Sequence, residues 1–117
     1  MRAVVLDFSG TLTTLPNPVA FIEALKAQGD YVVLWTASHD SDVEKAAPGT
    51  LAAVDVAVQK PELPLQALDG SGRVFDEVIV VDDEEILGRA ALRFGRSRPE
   101  AWRYIHADEI QGLQQPR

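Results

Sequence analysis

The chain contains five short apolar runs separated by longer, more polar stretches. Each run is rich in β-branched or aromatic residues and is bounded by turn formers or charged residues, a pattern typical of β-strands. The runs predict strands over about residues 3–7, 31–35, 53–58, 78–81 and 102–105.

The stretches between these runs predict helices. In the first, over residues 19–28, Pro18 suits the first helical position and Gly29 can end the helix. Its apolar residues recur at helical spacing, at Val19, Ile22 and Leu25.

A second helix is predicted over residues 84–94, with glutamates at its positively polarised amino end and Gly95 as its stop. Its apolar stripe is expected to contain Ile86, Leu87, Ala90, Ala91 and Phe94. Shorter patterns predict helices over residues 40–47, 62–68 and 107–114.

The alternation of strands and helices predicts a single Rossmann-like α/β/α domain of three layers, with about five parallel strands. The length of 117 residues fits one such domain, which we place at residues 1–113 with a loose tail over 114–117. Parallel sheets of this kind bind ligands beyond the carboxyl ends of their strands, where the strand order reverses.

Composition narrows the class of protein. The net charge of −7 disfavours non-specific binding to nucleic acid, and the absence of cysteine excludes disulfides, thiolate zinc sites and cysteine nucleophiles. No window approaches the roughly 18 consecutive apolar residues of a membrane span, and the amino end shows no signal-peptide pattern. We therefore expect a cytoplasmic protein without a membrane partner.

Polar residues follow four of the predicted strands, at the point where each strand ends. Asp7 follows the first strand, Thr36 ends the second, Lys60 follows the third, and Asp82 and Asp83 follow the fourth. Three carboxylates at one sheet edge repel one another unless a cation lies among them. Carboxylate ligands favour magnesium over zinc, so we expect a Mg²⁺ site.

These motifs resemble those of the haloacid dehalogenase-like (HAD) superfamily of phosphohydrolases. The similarity lies in Asp-x-x-Gly-Thr-Leu at residues 7–12, a strand ending in Thr36, Lys-Pro at 60–61, and a strand ending in Asp-Asp at 82–83. It covers most of the chain. Response-regulator receivers use similar residues in another order, with the acidic pair after the first strand and the lysine after the last. In this chain the pair follows the fourth strand and Lys60 precedes it, so the order disfavours a receiver.

The resemblance implies a role for each residue of the phosphoryl site. Asp7 would be the nucleophile that forms an aspartyl-phosphate, since its carboxylate is ionised at neutral pH. Thr36 and the backbone amides after it, beginning at Ala37, would hydrogen-bond the phosphoryl oxygens. Lys60 would neutralise the charge of the nucleophile and the phosphoryl group.

The resemblance also implies the magnesium ligands. Asp82 would bind the ion directly, and Asp83 would bind it directly or through water and help to orient Lys60. The remaining ligands would be Asp7 and the backbone carbonyl of Ser9. The acidic pair could also stabilise the positively polarised amino end of the following helix, and this role is compatible with metal binding.

Ser9 departs from the family pattern. Most phosphatases of this family carry a second Asp there as the general acid and base, which is typically worth about 10²–10⁴-fold in rate. A serine hydroxyl does not replace it near neutral pH, so we expect slow turnover. Two alternatives stay open: His39 supplies the proton, or the chain is a pseudoenzyme that binds phosphate or a protein partner without turnover.

The loops leave no room for a cap domain, either between Asp7 and the first long helix or between the second and third strands. Caps enclose small substrates and exclude water, so a capless core leaves its site open. We therefore expect a bulky or macromolecular phosphorylated substrate, or a second subunit of a homo-oligomer as the lid.

Overall fold

The chain forms a parallel five-stranded sheet in the computed structural model, which describes residues 1–93, 95 and 98–114. In chain order the strands are β1 (Arg2–Leu6), β2 (Tyr31–Thr36), β3 (Val56–Gln59), β4 (Glu77–Asp82) and β5 (Ala101–His106). Across the sheet they lie in the order β3-β2-β1-β4-β5, and each neighbouring pair is parallel. The order reverses between β1 and β4, so these two strands flank the switch point of the sheet.

Helices connect the strands. In the described ranges they are α1 (Pro18–Ala27), α2 (Asp40–Ala46), α3 (Thr50–Ala53), α4 (Pro64–Gly70) and α5 (Glu85–Arg93). Two 3₁₀ helices cover Leu12–Thr14 and Ala107–Gln114. The longest helix has ten residues, and none in the described ranges is long and apolar enough to cross a bilayer.

Alternate residues of β1 face opposite sides of the sheet and enter separate hydrophobic clusters. Val4 and Leu6 pack in one cluster with α1, α2, α3 and the last 3₁₀ helix. Ala3 and Val5 pack in the other, which contains Leu68 of α4 and Ala91 of α5. Helices therefore cover both faces, which confirms the predicted three-layer, Rossmann-like α/β/α architecture.

The first long helix follows its sequence pattern closely. Asn17 caps α1 by accepting a hydrogen bond from the Ala20 amide at 3.1 Å, and Pro18 takes the first helical position. Past the end of the helix, Gly29 has a φ of +99°, a conformation that residues with a Cβ rarely adopt. The prediction of a helix over 19–28 is confirmed to within one residue at each end.

The shorter helices are found at or near their predicted positions. The pattern over 40–47 forms α2, and the pattern over 107–114 forms the last 3₁₀ helix. The helix predicted over 62–68 is α4, which begins two residues later because Pro64 takes its first turn. Gln114 ends the last 3₁₀ helix, and the rest of the predicted tail, 115–117, lies outside the described residues.

The third strand is shorter than its sequence pattern predicted. Residues 50–53 form α3 instead of leading into a strand at 53, because the carboxylate of Glu44 accepts hydrogen bonds from the Gly49 and Leu51 amides. The Asp55 carboxylate then accepts the Val32 amide at 2.8 Å. Regular pairing with β2 begins only after this contact, at Val56.

The apolar stripe predicted for the second long helix is wrong for Ile86 and Leu87, which are 86% and 40% exposed. The buried positions of α5 are Gly88 and Ala91. A Cβ at residue 88 would lie 2.3 Å from the Tyr104 ring, so the helix sits on the sheet through its small residues. Phe94, the last member of the predicted stripe, lies outside the described residues.

A buried ion pair lies at the amino edge of the sheet, where β1 and β2 begin. Arg2 donates two hydrogen bonds to Asp30, at 2.9 and 2.6 Å, and both side chains are 4% exposed. Arg2 also donates to the Leu113 carbonyl at 2.8 Å, and Gln28 donates to Asp30 and to the same carbonyl. The pair thus ties the last 3₁₀ helix to the sheet.

We predict that Asp30→Asn lowers the free energy of unfolding by about 3–5 kcal/mol, because it leaves the buried Arg2 guanidinium without a counter-charge. Chemical denaturation measures this loss. The matched control is Glu85→Gln, which breaks an exposed pair with Arg89 and should cost less than about 1 kcal/mol. Equal losses in the two variants would contradict a structural role for the buried pair.

Candidate active site

A pocket of about 410 Å³ opens at the carboxyl edge of the sheet, around the switch point between β1 and β4. It is lined by all the residues to which the sequence assigned the phosphoryl and magnesium sites, namely Asp7, Ser9, Thr36, Ala37, Lys60, Asp82 and Asp83. Four strands deliver these residues. The parallel register brings strand ends that are distant in sequence to one place.

Lys60 links the nucleophile candidate to the acidic pair. Its Nζ lies 3.2 Å from Asp7 Oδ1 and 3.2 Å from Asp82 Oδ2. The Lys60 amide donates to the Thr36 carbonyl at 2.9 Å, which fixes the start of the loop after β3. The ammonium group therefore neutralises part of the charge of two buried carboxylates.

Trp35 supports this lysine, a contact that the sequence did not predict. The Lys60 ammonium lies 4.7 Å from the centre of the indole ring, within the range of a cation–π interaction. The indole Nε1 donates to the Glu62 carbonyl at 2.6 Å. Trp35 thus holds both the charged end of the lysine and the loop that follows it.

Asp82 is held from both sides. Its Oδ1 accepts the Glu84 amide at 2.9 Å, and its backbone carbonyl accepts the Tyr104 hydroxyl at 2.8 Å. The residue is 1% exposed. Because backbone groups and β5 fix it, Asp82 presents one carboxylate oxygen to Lys60 in a set orientation.

Asp7 lies at the end of β1, where its amide donates to the Val81 carbonyl at 3.1 Å. The buried Thr11 hydroxyl donates to Asp7 Oδ2 at 3.4 Å. Burial raises the pKa of Asp7 to about 6, while Lys60 opposes this shift and the Asp82 charge adds to it. The carboxylate is therefore mostly ionised at neutral pH.

Asp83 completes a group of three carboxylates. Asp7, Asp82 and Asp83 each offer an oxygen, and these oxygens lie within 4.8 Å of one another. Gly10, with a φ of +75°, makes room for the group, because a Cβ there would lie 2.3 Å from Asp83 Oδ2. Hard carboxylate oxygens at this spacing fit a divalent cation such as Mg²⁺.

Thr36 and Ala37 form the wall of the pocket at the end of β2. The Thr36 hydroxyl accepts the Ser38 amide at 3.0 Å, and Gln59 donates to the Ser38 carbonyl at 2.9 Å. Among the described residues the Thr36 hydroxyl donates to no partner, so its hydrogen is available to a ligand in the pocket. Ala37 is exposed at the same wall.

Ser9 and His39 differ in their relation to the pocket. Ser9, two residues after Asp7, is exposed and lines the pocket. His39 is exposed at the start of α2, and the residues that line the pocket do not include it. Geometry thus gives no support to His39 as the replacement for the missing acid.

Besides Gly10, which belongs to the motif at residues 7–12, three further lining residues were not predicted: Ser38, Glu84 and Leu87. Ser38 and Glu84 are direct neighbours of predicted residues, so the strand-end rule could have found them. Leu87 could not be found in this way, because its apolar character predicted a buried position on α5. Its place in the pocket follows from how α5 packs on Tyr104.

Comparison with known proteins adds no relative to this description. No protein-family model matches the chain, and neither the curated proteins nor the solved structures gave a match. The fold and the pocket define an α/β protein with a carboxylate-rich pocket at the switch point of its sheet. Any more specific function depends on the chemistry of that site.

We predict that Asp7→Asn raises the free energy of unfolding of the metal-free protein by about 1 kcal/mol at pH 7.5. The raised pKa means that the folded state binds the Asp7 proton more tightly than the unfolded state, so protonation stabilises the fold. This stabilisation is complete below pH 3.8 and is lost as the pH rises through about 6. Because Asn carries no charge, the variant does not lose this stability as the pH rises.

Thermal unfolding with a chelator, at pH 7.5 and at pH 4, measures the difference between the variant and the parent. The gain should shrink at pH 4, where the parent is also protonated. Asp42→Asn is the control, since this exposed carboxylate lies in the first turn of α2 and should stabilise that helix when charged. A lower stability of Asp7→Asn at pH 7.5 would refute the prediction.

Proposed function

We propose that this chain is a magnesium-dependent phosphohydrolase or phosphotransferase of the HAD superfamily that acts through an aspartyl-phosphate on Asp7. The observation that carries the proposal is the 3.2 Å contact from Lys60 Nζ to both Asp7 and Asp82 in an open pocket at the switch point. The order of the four motifs along the chain supports the same family.

In the proposed first step, an Asp7 carboxylate oxygen forms a bond to phosphorus as the bond from phosphorus to the leaving-group oxygen breaks. The leaving group takes its proton from solvent. In the second step, water attacks phosphorus, the Asp7 carboxylate is restored and inorganic phosphate is released. A hydroxyl acceptor in place of water would make the same reaction a phosphotransfer.

The other groups of the pocket bind and orient the phosphoryl group. Lys60 would offset negative charge on the nucleophile and on the phosphoryl oxygens, since its ammonium already contacts Asp7. The Thr36 hydroxyl would donate to one phosphoryl oxygen, and the backbone amide of Ala37 would donate to another. Fixed donors of this kind cost little reorganisation when charge develops.

The charge balance of the pocket supports a metal cofactor. Among the described lining residues four carboxylates, Asp7, Asp82, Asp83 and Glu84, face a single ammonium, so a phosphate dianion would be repelled without a further cation. Asp7, Asp82, Asp83 and the backbone carbonyl of Ser9 would hold the Mg²⁺. When bound, the ion would neutralise phosphate charge and orient the phosphoryl group.

Ser9 would limit the turnover rate of such an enzyme. It lies in the pocket where the family's general acid is expected, and its hydroxyl cannot protonate a leaving group as a carboxylic acid does. We therefore propose slow turnover, favouring substrates whose leaving groups depart without protonation. The same substitution supports the alternative of a pseudoenzyme that binds phosphate or a protein partner.

The openness of the pocket bears on the substrate. The segments after β1 and β2, where a cap would be inserted and where every residue is described, contain a 3₁₀ helix with α1, and α2 with α3, respectively, and no further domain. We propose that the site accepts a bulky or macromolecular phosphorylated substrate, or that a second copy of the chain serves as a lid, and that the protein works in the cytoplasm.

We predict that the parent protein hydrolyses acetyl phosphate in the presence of Mg²⁺ and that Asp7→Asn abolishes this activity. The amide of Asn is not nucleophilic, so covalent phosphate detected by intact-protein mass spectrometry should also disappear. Asp42→Asn, which changes an exposed carboxylate on α2, should retain the parental rate, and removal of Mg²⁺ by a chelator should stop turnover.

The pseudoenzyme alternative predicts a different result. It requires that the parent binds vanadate or phosphate without turnover or covalent phosphate over a broad panel of phosphate esters and anhydrides. That outcome would remove the phosphohydrolase from consideration and leave the binding function.

We predict that Ser9→Asp raises the rate toward a phosphomonoester with a poor leaving group, such as glycerol phosphate, by about 10²-fold or more. The rate toward para-nitrophenyl phosphate should rise much less, because nitrophenolate needs little protonation. Ser9→Asn is the matched control without an acidic proton. Steady-state rates with the two substrates test this, and an equal gain for both would mean that the serine is not the limiting group.

A further inference from the structure

Leu87 brings an apolar surface to a pocket whose other walls are mainly polar or acidic. We propose that Leu87 contacts the leaving group and makes the site selective for phosphomonoesters whose leaving group is apolar and carries no second anionic group. This inference rests on the proposed function, and it names the substrate class of that function.

The position of Leu87 is fixed by the packing of α5. Gly88 lies against the Tyr104 ring and Ala91 is buried against the sheet, so the rotation of the helix about its axis is set. With that rotation, Leu87 lies at the pocket and is 40% exposed. A single exposed leucine is ordinary, but one that lines a pocket for a charged group is available to a ligand.

The charges of the pocket disfavour a second anionic group. Lys60 is the only cationic side chain among the described lining residues, and both Asp7 and Asp82 contact it. Asp83 and Glu84 are exposed and line the same pocket as Leu87. With Asp83 among the proposed Mg²⁺ ligands, a carboxylate or a second phosphate on the leaving group would still meet Glu84 and, among the described lining residues, no free cationic side chain.

The nearest basic residue of α5 does not change this balance. Arg89 donates to Glu85 at 2.6 Å, and its guanidinium lies over the Tyr104 ring, 5.3 Å from the ring centre. These contacts place Arg89 on a separate surface, which it shares with Glu85 and Tyr104. Among the described residues, the leaving group therefore meets leucine and carboxylates.

The test compares two aryl phosphates of equal intrinsic reactivity: 4-propylphenyl phosphate and its analogue with a terminal carboxylate on the propyl chain. We expect the parent protein with Mg²⁺ to prefer the apolar substrate by about 10-fold or more in kcat/KM. Leu87→Gln keeps the length and helix propensity of the side chain, and it should reduce this preference mainly through a higher KM for the apolar substrate.

Ile86→Gln is the matched control, because it makes the same chemical change one residue away, at a side chain that does not line the pocket. It should leave the preference unchanged. Glu84→Gln should also reduce the preference, but by raising kcat/KM for the carboxylated substrate instead of raising KM for the apolar one.

Acetyl phosphate separates the two ways in which the inference can fail. If the parent hydrolyses acetyl phosphate but shows no preference between the aryl phosphates, the selectivity proposal is overturned and the proposed function stands. The same holds if Leu87→Gln and Ile86→Gln change the preference equally. If no substrate is turned over, the proposed function fails, and the selectivity proposal fails with it.

Discussion

The contact of one ammonium group with two carboxylates holds the candidate site together. Lys60 follows β3, Asp7 follows β1 and Asp82 ends β4. In the sheet, β2 lies between β3 and β1, and both β2 and β1 lie between β3 and β4. To contact both carboxylates, the Lys60 side chain must therefore reach past at least one neighbouring strand, roughly 4.8 Å wide. The four-carbon stem of lysine can do so, and Trp35 of β2 provides the surface over which the ammonium lies.

Buried charges are balanced differently at the amino and carboxyl edges of the sheet. At the amino edge, Arg2 and Asp30 balance one another and their hydrogen bonds are shared with Gln28 and the Leu113 carbonyl. At the carboxyl edge, three carboxylates lie close together, Lys60 contacts two of them, and burial raises the pKa of Asp7. The first arrangement pairs opposite charges, whereas in the second the folded state disfavours the charged form of Asp7.

Local patterns predicted the sheet and most of the pocket, because a strand end and a polar residue after it are both local features. Asp7, Thr36 and Lys60 were found in this way. The sequence did not predict α3, whose amides are capped by Glu44, or the orientation of α5, which Gly88 sets against Tyr104. Both depend on contacts between side chains and groups outside the local pattern, and periodicity carries no information about such contacts.

In the proposed phosphohydrolase, Ser9 and Leu87 would favour the same kind of leaving group for independent reasons. A site without a general acid works best on leaving groups that are stable as anions, and phenols meet this requirement better than alcohols because their pKa is lower. An apolar wall beside exposed carboxylates favours leaving groups that are hydrophobic and carry no further negative charge. An aryl or acyl group satisfies both conditions, whereas a sugar alcohol satisfies neither and the nucleoside diphosphate expelled from a nucleoside triphosphate fails the second. The absence of the acid and the presence of the leucine therefore point to one substrate chemistry.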